Sequence, residues 1–149
     1  MHLIMKTIGG LVLAACSAAA LEKELVDQIV QSAQNIERDA NMVSKALKTK
    51  QVDKGEVTKL IGDMTTDVNK LQELVTNFES TNPTLSDRDK TDWQLVKDKV
   101  KLLEIFHGQK QQLASEDMSK NRGMIRAHAD GLVVRAQKLQ VTANKLRRG

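Results

Sequence analysis

Glu104-Ile105-Phe106-His107 sets a carboxylate and an imidazole three residues apart, which on a helix places them on one side. Two such pairs plus two further glutamates hold a pair of metal ions inside a helical bundle. Here the residue three before His128 is Ile125, so only half of that set is present. Glu104 and His107 are therefore metal-ligand candidates without the partners they need, and the expectation is no metal and no cofactor. A haem in a bundle would need axial ligands, for which His107, His128 and Met42 are the residues of suitable type. No Cys-x-x-Cys-His is present to attach one. Trp93 opens an apolar run and reads as a cap on the end of the core with its indole N–H in water, or as a stacking surface for a ligand. No glycine-flanked nucleophile turn and no phosphate loop occur, so no catalytic residue is expected.

The remaining reactive group is the only cysteine, Cys16. It ends a segment with one early charge at Lys6, an apolar run from Ile8 to Leu13, and small residues after it. Positive start, apolar middle and small residues at the cut make a signal peptide, and the run is too short to span a bilayer. Leu13-Ala14-Ala15-Cys16 resembles the lipobox of bacterial lipoprotein precursors: leucine, two small residues, cysteine. That resemblance implies a signal peptide over 1–15, lipidation of Cys16, and Cys16 as the first mature residue. Ser17, not an aspartate, follows the cysteine, which by the same resemblance implies the outer membrane, facing the periplasm. A second cut after Ala20, with Ala18 and Ala20 at the small positions, would instead give a secreted, cysteine-free protein. His107-Gly108-Gln109-Lys110 resembles histidine phosphotransfer domains in placing a lysine three residues after a histidine. It departs from them at Gln111, where their glycine stands, and their chemistry is cytoplasmic.

These groups must be positioned by a body of ordinary size. The chain has 149 residues, which suits one domain. Aromatic residues make up 2% and there is one proline, which argues against a turn-rich β design. The Ala, Leu, Lys, Gln and Glu content favours long helices. A single cysteine leaves no internal disulfide to hold the fold. Net charge is +4 but unevenly spread: residues 51–82 carry six acids and three bases, residues 115–149 eight bases and three acids. Those two segments are expected either to pack side by side or to steer a partner.

Four apolar ladders run through the chain with alternating steps of three and four, the heptad rhythm of helices packed nearly along one axis. They are Leu21, Leu25, Ile29, Ala33, Ile36, Ala40, Val43, Leu47; Val57, Ile61, Met64, Val68, Leu71, Val75, Phe78; Trp93, Val96, Val100, Leu103, Phe106, fading toward Leu113; and Ile125, Ala129, Leu132, Ala136, Leu139, Ala143, Leu146. Asp53 with Glu56 reads as a capping box, Asn82-Pro83 as a stop, Thr84 or Ser86 as the next cap, and Ser115-Glu116-Asp117 as a fresh helix start. The prediction is all-α: an antiparallel up-down-up-down four-helix bundle over 16–149 after the signal peptide, with helices at about 20–48, 54–81, 86–113 and 116–147. A merged long third helix, or a flatter three-helix form, is the structural rival.

The function expected of such a chain is non-enzymatic. It is an exported, lipid-anchored bundle of the cell envelope, acting as a scaffold, adaptor or chaperone-like accessory. Its partners are the membrane, through the lipid, and an unknown protein. One alternative is a secreted ligand-binding or hydrophobic-surface-binding helical protein: the low aromatic content and single cysteine resemble the fungal hydrophobic-surface-binding and cell-wall mannoprotein family. The other alternative is a metal or haem bundle. Nucleic acid is not an expected partner, because the basic fourth segment lacks interleaved aromatics. On one helix Arg122 and Arg126 lie about 40° apart and Arg135 about 140° from Arg122 and about 180° from Arg126, so these bases are expected to solvate a face rather than form a stripe.

Overall fold

In a computed structural model the chain is described over residues 2–82 and 84–148, with side chains described over 23–82 and 84–146. It forms α1 (His2–Ala46), α2 (Lys54–Thr81), α3 (Asp87–Asp117) and α4 (Arg122–Arg148). The signal peptide at 1–15, Cys16 and the alternative cut after Ala20 fall outside the described side chains.

The ladders form the core. Ile29, Ala33, Ile36, Ala40, Val43 and Leu47 of the first are fully buried, as are Ile125, Ala129, Leu132, Ala136, Leu139 and Ala143 of the fourth. In the second, Val57, Met64 and Leu71 are fully buried, and Leu60 and Leu74 widen the stripe. Each helix packs against its neighbours in sequence and α1 against α4, while among the described residues the backbones of α1 and α3, and of α2 and α4, stand apart across the bundle. The α1–α4 seam is the most extensive and the α2–α3 seam the sparsest. Small residues explain the first: Ala33 and Ala40, and Ala129, Ala136 and Ala143, recur every seven residues, and helix separation follows side-chain size.

Cross-helix contacts run in opposite chain order on paired helices. Glu37 of α1 accepts from Gln137 and Gln140 of α4, whereas Arg122 at the start of α4 reaches the α1 end. Likewise Thr65 of α2 meets His107 of α3, and Glu79 meets Trp93.

The ends are closed by particular side chains. Asp53 caps α2 by accepting from the Glu56 N–H at 3.0 Å, and Ser86 caps α3 by accepting from Asp89 at 3.1 Å. Asn82 ends α2, its backbone N–H and side-chain amide both donating to the Phe78 carbonyl. The last carbonyls of α1 lack a glycine cap; the Thr49 hydroxyl donates to Ala46, and the Arg122 guanidinium donates to Leu47 and Thr49.

Three expected boundaries are corrected. The first helix does not begin near 20 but runs from His2 to Ala46. The third helix does not stop near 113 but continues to Asp117, and the fourth begins at Arg122, not 116. A lone glycine costs a helix only about 1 kcal/mol, so Gly108 does not break it. Ser115 donates back to the Gln112 carbonyl within α3 instead of capping a new helix. The turn is made by Asp117, whose side chain accepts from the Lys120 N–H, and by Asn121, which donates to the Leu113 carbonyl.

Candidate functional site

The third ladder fades because polar residues take over its positions. From Trp93 the buried positions run 96, 100, 103, and the same three-and-four rhythm continues to His107 and Lys110. His107 is 4% exposed and Lys110 fully buried, while Phe106 is only half-buried. Phe106, expected on the buried ladder, sits instead to the side, and the imidazole of His107 points inward.

α1 and α2 complete this polar layer. The Thr65 hydroxyl donates its one proton to the Ile61 carbonyl at 3.0 Å, so it must accept from His107 Nε2 at 2.7 Å. That fixes the neutral ring as the Nε2–H tautomer and leaves Nδ1 a bare lone pair, buried and without a hydrogen-bond partner. Lys110 Nζ lies 3.1 Å from the Met64 sulfur, a weak acceptor for an ammonium. Asp39 of α1 is 3% exposed; its Oδ1 accepts from Arg38 Nε at 3.1 Å, and its buried Oδ2 has no hydrogen-bond partner. Asn35 of α1 donates to Asp67 of α2 at 3.4 Å.

Burial dominates the electrostatics here. It pushes the Lys110 ammonium down to about 7, opposed only by the negative charge of Asp39. Burial, with the nearby Lys110 charge, pushes His107 down to about 4, so the ring is neutral at physiological pH. Burial also raises the Asp67 carboxyl, against the Asn35 hydrogen bond. This arrangement offers a buried amine, a thioether, an imidazole lone pair and a carboxylate oxygen. Among the described residues no three of His, Cys, Asp and Glu gather to hold a metal ion.

The other candidates lie apart. Glu104 is half-buried and does not share the inward direction of His107. Met42 is 42% exposed on α1. His128 is half-exposed, Nδ1 donating to the Met124 carbonyl at 2.7 Å and Nε2 facing the Gln109 amide at 3.1 Å. His107, His128 and Met42 therefore do not converge on one axis. Trp93 is buried and stacked on Phe78 with ring centroids 4.1 Å apart, closing the core end as expected. Its N–H, expected in water, donates instead to Glu79 at 3.2 Å, and Glu79 also pairs with Lys97 at 2.7 Å.

The bases of the last segment divide by task. Arg122 caps α1, and Arg135 lies over the Phe106 ring at 3.8 Å while donating to the Gly131 carbonyl. Arg126 and Lys138 are exposed. Of the two expectations for the charge imbalance, side-by-side packing is overturned: acidic α2 and basic α4 are not neighbouring helices. Sequence reasoning gives no sign of Asp39 and names Lys110 only for its spacing from His107, not as a core residue. The signal for Lys110 was the ladder rhythm itself, continued past Leu103.

No protein-family model, curated protein or solved structure matches the chain.

Proposed function

We propose that this chain is an exported, lipid-anchored, non-enzymatic helical bundle, serving the cell envelope as a scaffold or adaptor on the periplasmic face of the outer membrane. The observation that carries this reading is the position of the only cysteine, at the end of Leu13-Ala14-Ala15-Cys16 and behind a short apolar run. Two features support it. The body that follows buries its own ladders, so it has no need of a bilayer to cover them. No helix among the described residues is long and apolar enough to cross a membrane, so a stable membrane attachment by this body calls for another device, and a thioether-linked diacylglyceryl group with an N-acyl chain is one. The scaffold role rests on an outer surface that is acidic along α2 and basic along α4, which presents two different faces to partners.

Cell fractionation of Cys16→Ala tests it. The variant is expected to leave the membrane fraction or to accumulate as uncut precursor. Unchanged processing and unchanged membrane association would contradict the anchor.

A further inference from the structure

The cations of the C-terminal half do not line up along α4, but three meet across the groove between α3 and α4. Lys99 and Leu102 of α3 face Arg135 and Lys138 of α4 around a cavity of about 160 Å³. Among the described residues none of the three cations forms an ion pair. From Gly131 to Gly149 the chain contains no acid, and Asp98, beside Lys99, accepts a hydrogen bond from Gln94 at 2.9 Å. The acid-rich α2 lies across the bundle and is not a neighbour of α4. Three cations lining one groove, none of them in an ion pair among the described residues, favour an anion between them.

The groove is also partly organised. Arg135 is held by the Phe106 ring beneath it and by the Gly131 carbonyl that takes Nη1, while its buried Nε has no hydrogen-bond partner. A guanidinium fixed in place gives up less side-chain freedom when it binds an anion. Leu102, 44% exposed in the same lining, adds an apolar surface. Three cations suit a group with close to two negative charges and several acceptor oxygens, as a phosphate monoester has near neutral pH. The leucine suits an organic group attached to it. The size admits a phosphate with a small substituent, not a polymer.

We propose that the α3–α4 groove formed by Lys99, Leu102, Arg135 and Lys138 binds a soluble phosphate monoester that carries an apolar group. The site belongs to the bundle and holds whether or not Cys16 carries lipid.

Calorimetric titration of the purified full chain with phenyl phosphate tests this, with inorganic phosphate as the probe lacking the apolar part. Two charge-matched variants keep the outcome specific: Lys99→Gln with Lys138→Gln in the groove, and Lys120→Gln with Arg126→Gln on exposed positions outside it. All four are solvent-facing or half-exposed, where substitutions perturb folding little. The expected result is saturable binding of phenyl phosphate, tighter than inorganic phosphate, weakened at least about tenfold by the groove pair and less than about twofold by the outside pair. Absence of saturable binding by the wild type, or equal weakening by both pairs, overturns the site. Equal affinity for the two probes overturns the role of Leu102. Preference for phosphatidylglycerol over phosphatidylcholine vesicles without any response to phenyl phosphate overturns the soluble ligand in favour of a lipid surface.

Discussion

Lys110 is the residue at which burial and charge conflict most openly. Its ammonium has a thioether at 3.1 Å and, beyond it, the field of Asp39. The consequence for stability follows from the shift, from the ordinary 10.5 down to about 7. Between those values the unfolded chain holds a proton that the folded chain has released, so this residue makes stability rise with pH over that window. Below about 7 both states are protonated and the full penalty of the buried charge remains. His107, lowered from 6.5 to about 4, adds a rise between those two values by the same sign, because the unfolded ring binds protons that the folded ring does not. Lys110→Met keeps much of the volume and removes the charge. It is expected to raise stability at pH 6 by about 1–4 kcal/mol and to flatten the rise between about 7 and 10.5, read by urea unfolding at a series of pH values. A variant less stable than wild type at pH 6 would mean the ammonium is well satisfied where it sits. Sliding of α3 past α2 would take His107 from Thr65 and Lys110 from Met64, so these two contacts favour one register.

At the scale of elements, the heptad ladders of α1, α2 and α4 were legible because nearly every member is aliphatic or alanine. The residues expected inside from Leu25 to Leu47 and from Ile125 to Ala143 are inside. The second half of α3 was not legible, because lysine and histidine at core positions look the same in sequence as lysine and histidine on a solvated face. Only continuation of the spacing through 103, 107 and 110 separates the two, and residue type argued against it. The α3–α4 junction is obscured in the sequence for a related reason. Ser115, Glu116 and Asp117 have the chemistry of a helix start, yet the same residues also end helices, and the Asn121 bond to Leu113 that fixes the turn spans eight residues. The candidate metal pair failed to assemble because the core face passes through His107 and not through Glu104. Seam tightness offers a test at this scale. Ala136 is fully buried in α4, on the helix that packs most extensively with α1. Ala136→Leu is expected to cost about 1–3 kcal/mol by overpacking, measured by thermal and urea unfolding, whereas the same substitution at exposed Ala127 should change little. Equal, small effects at both positions would mean that α1 and α4 do not pack as tightly as their alanines suggest.

The whole molecule is a four-helix body with charge divided across its width and one cysteine ahead of it. The division follows from topology: with the helices arranged in chain order around a ring, α2 and α4 face opposite ways, so the acids of one and the bases of the other cannot neutralise each other. A partner with a basic face would meet α2, and an anion would meet the α3–α4 side, at low ionic strength most strongly because exposed charges are screened over about 10 Å at 0.1 M salt. Both faces are useful to an envelope protein only if the body is held where its partners are, which makes the anchor the central claim. The most direct test is the mass of the N-terminal peptide from protein extracted from native membranes. The expected result is a peptide that begins at Cys16 and carries a diacylglyceryl thioether and an N-linked acyl chain. An unmodified peptide beginning at Leu21, with the protein recovered from the soluble fraction, would contradict it.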